Sequence, residues 1–214
     1  MKKKEQLPEI IPVFPLSNFI IFPETTVPLN IFEPRYIQMI DDTMKNSRMI
    51  GMIQPKKNLK QENSDLYQIG CLGKITSFNE TDDGRYLVVI NGLSRFKILD
   101  EIENSKLYRE CKVSFEEFKD DFVLNKDKDK LINLEDIFKN LKIFFEKKGL
   151  VLNLNELKNQ SLDQTINALS MASPFSLEEK QALLETTNLD QRKKKLEEIL
   201  KTYAIDEFNN TTVQ

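Results

Sequence analysis

Apolar and polar positions alternate from Val27 to Phe32, with Val27, Leu29 and Ile31 on one side and Pro28, Asn30 and Phe32 on the other. A two-residue period predicts a strand. Pro34 stands where a first helical turn would begin, a position that suits its fixed φ and needs no N–H. Tyr36, Ile37, Met39, Ile40 and Met44 then recur at helical spacing, which predicts a helix over Pro34–Lys45. Runs rich in Ile, Val, Leu, Phe and Tyr predict further strands over Arg48–Gln54, Leu66–Phe78, Arg85–Ile90, Leu93–Ile98 and Leu107–Phe118. Asp82-Asp83-Gly84 predicts a hairpin turn, and Asn91-Gly92 a second turn or a bulge. The polar stretch Lys56–Asp65 is expected to be an exposed loop.

The period changes after a charged stretch. Residues 119–130 include Asp120, Asp121, Lys126, Asp127, Lys128, Asp129 and Lys130, have little to bury and are expected to be a linker. Leu131, Leu134, Ile137, Phe138, Leu141, Phe144 and Phe145 then form one helical stripe that Gly149 ends. Ser161 with Gln164 and Ser176 with Glu179 have the spacing of capping boxes, and Asn188 with Gln191 marks another helix start. The division expected is a β subdomain over 9–118, the linker, a four-helix bundle over 131–204 and a flexible tail over 205–214. The fold class is α+β: many short strands with one embedded helix suggest a closed or partly closed barrel, with helices following.

The nonapeptide Pro28-Leu29-Asn30-Ile31-Phe32-Glu33-Pro34-Arg35-Tyr36 does not stand alone. Ile11-Pro12-Val13-Phe14-Pro15-Leu16 and Phe19-Ile20-Ile21-Phe22-Pro23 precede it. Tyr67 to Gly73, Asp83 to Val89, and Gly92-Leu93-Ser94-Arg95-Phe96-Lys97-Ile98 follow. In this order the motifs resemble the N-terminal, substrate-binding domain of the Lon protease family. Leu169 to Phe175 and Glu179 to Glu185 resemble the helical part that follows in that family. The resemblance implies a PUA-like β pseudobarrel with an embedded helix, followed by a helical bundle. It marks Pro28, Phe32, Glu33, Pro34, Arg35, Tyr36, Gly84, Arg85, Gly92, Arg95 and Phe96 as motif residues of structural weight. Glu24 departs from the family pattern, which has glycine after the Phe-Pro pair. Full-length Lon proteases carry an ATPase module and a Ser-Lys proteolytic dyad downstream. The chain is therefore expected to be a stand-alone, non-catalytic relative.

Composition narrows the chemistry. The chain of 214 residues is 40% apolar and 30% charged, with a net charge of −3. Cut at Phe118, both parts stay close to neutral, so bulk electrostatic capture of nucleic acid is disfavoured. Met1-Lys2-Lys3-Lys4 imitates the start of a signal peptide, but Glu5, Gln6, Pro8 and Glu9 interrupt the apolar stretch that would have to follow. A cytoplasmic location without membrane association is expected, with Cys71 and Cys111 as reduced core residues. There is no histidine, which removes Ser-His-Asp and Cys-His catalysis. Two cysteines without a CxxC spacing exclude a cysteine-rich zinc site, and no GxxxxGK[ST] or GxGxxG occurs. No cofactor and no enzymatic activity are expected.

What remains is binding. The sequence holds 14 phenylalanines, and among these Phe19 and Phe22, with Ile20 and Ile21 between them, are candidates for an exposed apolar patch. Such a patch would recognise unfolded or degron-bearing polypeptides, as in an adaptor for protein quality control or proteolysis, with a full-length Lon protease as a further partner. Glu33 and Arg35 read as an ion pair or cap at the strand–helix junction, and Arg85 and Arg95 as ties between strands and neighbouring acceptors. Arg192-Lys193-Lys194-Lys195 reads as a solvated helix face. The alternative class is a PUA-like nucleic-acid-binding module.

Overall fold

The computed structural model describes residues 7–17, 19–56, 65–122, 134–151 and 160–210. Most of the expected polar loop and of the charged linker, together with Leu131 and the last four residues, lies outside them. The chain divides into two units, Met1–Phe122 and Val123–Gln214.

The first unit runs β1 (Ile10–Pro15), β2 (Thr26–Ile31), α1 (Pro34–Met44), β3 (Met49–Ile53), β4 (Ile69–Glu80), β5 (Tyr86–Ile102), β6 (Arg109–Ser114) and a 3₁₀ segment (Glu116–Phe122). The six strands form one mixed sheet in the order β2-β5-β4-β3-β1-β6, and β5 also pairs with β6. Five strands are thereby joined in a ring, with β2 appended to the first half of β5. Only the β1–β3 pairing is parallel. Inward positions converge on Ile11, Val13, Met49, Ile53, Leu72, Phe96, Cys111 and Val113. Burial of these side chains, each worth about 1.5–3 kcal/mol, dominates the stability of this unit.

Several sequence expectations change. Arg85–Ile90 and Leu93–Ile98 are one continuous strand, and Asn91-Gly92 makes no turn. Of the two outcomes expected there the bulge forms: the register slips between Leu72 and Gly73, leaving Leu93 as the extra residue. Gly92 stays in the ladder because the Phe22 backbone lies against it: a Cβ there would sit 2.1 Å from the Phe22 carbonyl oxygen. The strand expected over Leu107–Phe118 is confined to Arg109–Ser114. Residues 119–122, expected in the linker, belong to the 3₁₀ segment, which packs on β5. Their charge pattern concealed a buried acid, described below.

Helix α1 starts at Pro34 and buries Tyr36, Met39, Ile40 and Thr43. Two aspartates on it fix its orientation: the hydroxyl of Tyr86 donates to Asp41 at 2.9 Å and that of Tyr108 to Asp42 at 3.0 Å.

The second unit holds α2 (Glu135–Lys147), α3 (Leu162–Ala172), α4 (Leu177–Leu184) and α5 (Leu189–Asn210). Both Ser161/Gln164 and Ser176/Glu179 form complete capping boxes, and Asn188 accepts from the Gln191 N–H at 3.0 Å. α2, α3 and α4 each pack against α5. The core is largely aliphatic and includes an aromatic cluster, with Phe144 against Phe175 and Tyr203 at ring distances of 5.4 and 4.4 Å. α5 continues to Asn210, through residues expected to be tail.

Candidate functional site

The expected patch at Phe19–Phe22 does not form. Ile20, Ile21 and Phe22 are buried, and Phe19 is half-buried. The cause is local. The Phe22 carbonyl accepts from the Thr25 N–H and from its hydroxyl at 3.3 and 2.6 Å, and that hydroxyl also accepts from the Phe22 N–H. Gly92 then joins this turn to β5, accepting from the Glu24 N–H at 2.9 Å and donating to the Thr25 carbonyl at 2.8 Å. A segment stitched down this way turns its side chains into the core.

Exposed apolar side chains gather elsewhere, on a lobe built from β2, the first half of β5 and the far half of β4. The register sets Leu87 opposite Asn30 on one side and Asn79 on the other, with Val89 opposite Pro28 and Ser77. These residues share the outer face, whereas Tyr86, Val88 and Ile90 are buried on the inner one. Phe32 extends the outer row beyond Asn30 and is 65% exposed, and Leu87 is 44% exposed. The place of Phe32 in the polar half of the β2 alternation is the sequence signal for its exposure.

Charges frame the patch in pairs. Arg35 reaches Glu33 at 2.7 Å and Arg85 reaches Asp83 at 2.9 Å, all four partly or fully exposed. The Arg85 guanidinium stands 6.0 Å from the Phe32 ring centroid. A hydrogen bond from Thr81, with Arg85 adding its charge, lowers the pKa of Asp83. Gly84, at φ +77°, closes the hairpin that presents Arg85, as its N–H donates to Thr81 at 2.9 Å.

The other motif residues are structural by position. Glu33 precedes α1, and its carbonyl accepts from Tyr36 and Ile37 at 2.9 and 3.0 Å. Tyr36 packs on Phe14 with ring centres 4.2 Å apart, and burial raises its phenol pKa. Phe96 is core. Arg95 is buried against Asp121 and stacks over Phe118 at 4.3 Å. Arg192 corrects the solvated-face reading: it is buried, donating to the Leu183 carbonyl at 3.1 Å and to Asn167 at 2.5 Å. Lys194 is exposed, and the half-buried Lys193 and Lys195 pair with Glu197 and Glu198.

Reactive chemistry finds little purchase. Both cysteines are buried free thiols. Burial, reinforced by Glu101, pushes Cys111 up to about 11, opposite to what a nucleophilic thiolate needs. Among the described residues no three His, Cys, Asp or Glu side chains cluster to hold a metal ion, and no helix is long and apolar enough to cross a membrane.

The family model of the ATP-dependent protease La (LON) substrate-binding domain matches residues 10–202. The chain belongs to that family. Lon protease of Dictyoglomus thermophilum is 22% identical over 204 residues, 92% of this chain and 25% of that protein. Lon protease of Buchnera aphidicola subsp. Acyrthosiphon pisum is 30% identical over 191 residues, 85% of this chain and 23% of that protein. The chain thus spans about a quarter of the length of these curated relatives. Among solved structures, a Lon N-terminal domain protein from Xanthomonas campestris superposes with a TM-score of 0.63 at 18% identity, over 87% of this chain and 96% of that one. The N-terminal domain of the Mycobacterium avium complex Lon protease gives 0.63 at 15% identity, over 90% and 98%. The chain shares the fold of these two Lon N-terminal domains.

Proposed function

We propose that this Lon-family domain binds unfolded or degron-bearing polypeptides without itself carrying out catalysis, and that the outer face of the β2–β5–β4 lobe is the contact surface. The observation that carries the reading is Phe32, a large aromatic side chain 65% exposed just past the end of β2, with Leu87 44% exposed in the outer row of the sheet. A solvent-exposed aromatic and aliphatic pair rimmed by ion pairs is the anatomy of a binding patch. Membership of a substrate-binding family supports the same reading. The ring of strands fits a PUA-like pseudobarrel, and the α2–α5 unit a helical bundle. The protein would serve as an adaptor in quality control or proteolysis, with a full-length Lon protease as its second partner.

Nucleic acid is the weaker alternative. Arg35 and Arg85, the basic side chains at the patch, are both neutralised by neighbouring carboxylates. The deciding experiment is fluorescence anisotropy with reduced, carboxymethylated α-lactalbumin, a permanently unfolded protein, and with a single-stranded RNA of mixed sequence. Binding to the unfolded protein that survives added salt supports the polypeptide reading. Salt-sensitive binding to RNA alone overturns it.

A further inference from the structure

The lobe has two open edges, and they differ. β2 pairs on one side only, and at its centre Pro28 has no N–H to offer a neighbour. A proline there blunts the edge against strand addition. β4 is different. Its near half lies between β3 and β5, but the pairing with β3 ends at Met49 opposite Lys74. From Ser77 to Glu80 it pairs, among the described residues, with β5 alone, Thr76 is the extra residue of a bulge, and all five residues are exposed.

The direction of its backbone groups follows from bonds at either end. The Ile75 N–H points away from β5, donating to the Arg48 carbonyl at 2.8 Å, and the bulge between Ile75 and Ser77 then reverses the alternation. The Thr81 N–H points toward β5, donating to the Arg85 carbonyl at 2.9 Å. Alternation from Thr81 turns Asn79 toward its partner Leu87, and turns the N–H and C=O of Phe78 and Glu80 outward. Among the described residues no group outside β4 and β5 hydrogen-bonds to either. The open edge therefore shows two outward donor–acceptor pairs at strand spacing, which an extended backbone satisfies and a helix does not.

Side chains add selectivity. Phe78 is 37% exposed, with its ring edge-on to Tyr86 at 4.9 Å. Glu80 lies two residues on along the same face, the one opposite the Leu87 row, and Asp82 follows in the turn; neither is ion-paired among the described residues, whereas Asp83 is held by Arg85. An incoming strand thus meets an aromatic ring and, one pleat away, an uncompensated acid.

We propose that a client enters as an extended strand antiparallel to Thr76–Glu80, its backbone pairing with Phe78 and Glu80, with a basic residue opposite Glu80 and an apolar one two positions later opposite Phe78. The proposal rests on the polypeptide-binding reading above and specifies how the client is held. A second copy of this chain is the lesser occupant, because an edge of two bonding residues is too short to hold a folded partner.

The test uses fluorescein-labelled nonapeptides with a Lys-Thr-Phe core, a Glu-Thr-Phe core, or the first core N-methylated on the two amides that would face β4. The expected result is binding of the lysine peptide about tenfold tighter than the glutamate peptide, and a loss of about tenfold on N-methylation. Glu80→Lys is expected to invert the charge preference. Glu80→Pro removes one outward N–H without breaking a ladder bond, as Pro28 does in β2, and is expected to weaken the lysine peptide while circular dichroism and thermal melting remain those of the parent. Indifference of peptide affinity to N-methylation and to both variants, with Phe32→Ser still weakening binding of unfolded α-lactalbumin, overturns the strand mode and leaves the polypeptide reading standing. Self-association that Glu80→Pro abolishes overturns it in favour of a second copy. No binding of any peptide or of the unfolded protein overturns both.

Discussion

Asp121 holds Arg95 through three bonds: to the guanidinium at Nη2 and Nε, 2.7 and 2.9 Å, and to the backbone N–H at 2.9 Å. The side chains are 1% and 7% exposed, so both charges have left water. A buried ion pair of this kind contributes little relative to apolar replacements, but losing one partner strands the other charge. Asp121→Asn is therefore expected to destabilise the first unit by about 3–5 kcal/mol. The joint replacement Arg95→Met with Asp121→Leu should recover most of the loss, as it leaves no charge behind. Urea unfolding of the singles and the double measures the coupling; a single-mutant cost under about 1 kcal/mol would show that the clamp does not organise the 3₁₀ segment.

That clamp shows where sequence reading stopped. The helix starting at Pro34, both capping boxes and the helix start at Asn188 are local events, and local patterns disclose them. Asp121 stands among solvated charges, and its partner lies on a distant strand, so no spacing reports the pair. Arg192 was legible in hindsight: it sits on the same helical face as Leu196, Ile199 and Leu200, a position for a buried group. Phe19–Phe22 misled because an apolar run states only that burial is wanted. The Thr25 and Gly92 bonds that accomplish it are non-local. Phe32 is exposed although apolar, in keeping with its outward place in the β2 alternation.

Phe32 and Leu87 should separate binding from stability. Both stand on the outer face with their side chains in water, so serine at either site should alter stability by no more than about 0.5 kcal/mol. Affinity for unfolded α-lactalbumin should fall by about tenfold for Phe32→Ser and less for Leu87→Ser. Ile21→Ser is the contrasting control, because its side chain is buried. It should unfold the first unit before any effect on binding can be read. Paired melting and anisotropy measurements check all three; undiminished binding by Phe32→Ser would move the site off this face.

Alkaline pH should reveal the Cys111 thiol. Burial raises it from 9.0 to about 11, so the folded state keeps a proton that the unfolded state has released. That contribution is complete below pH 9.0 and is lost as pH rises through about 11. Tyr36, Tyr86 and Tyr108 are raised as well, by burial at Tyr36 and Tyr108 and foremost by the hydrogen bond to Asp41 at Tyr86. They extend the loss above pH 10.0. Urea unfolding should show stability falling by up to about 2 kcal/mol across the thiol window. Cys111→Ala should be less stable at neutral pH through its cavity, yet show a flatter decline from pH 9 to 10. An equal slope in parent and variant would remove the thiol from the account.

Glu24 and Gly92 face each other across the turn that buries Phe22, and they make opposite demands. Glu24 has φ 60°, a left-handed conformation that costs a side-chain-bearing residue about 1–2 kcal/mol. Glu24→Gly should stabilise by about 0.5 kcal/mol, because the relieved strain is partly offset by the freedom glycine gains in the unfolded chain. Gly92 has no left-handed requirement; it is there for closeness. Its missing Cβ would lie 2.1 Å from the Phe22 carbonyl oxygen, a backbone atom whose N–H and C=O are already committed to Thr25. Gly92→Ala must push β5 and the turn apart, at a cost of about 3 kcal/mol. Combined with Gly92→Ala, the Glu24→Gly gain should shrink, since the Glu24 N–H bond to the Gly92 carbonyl stretches with the same displacement. Full additivity in urea unfolding would mean that the two positions do not share one strained turn.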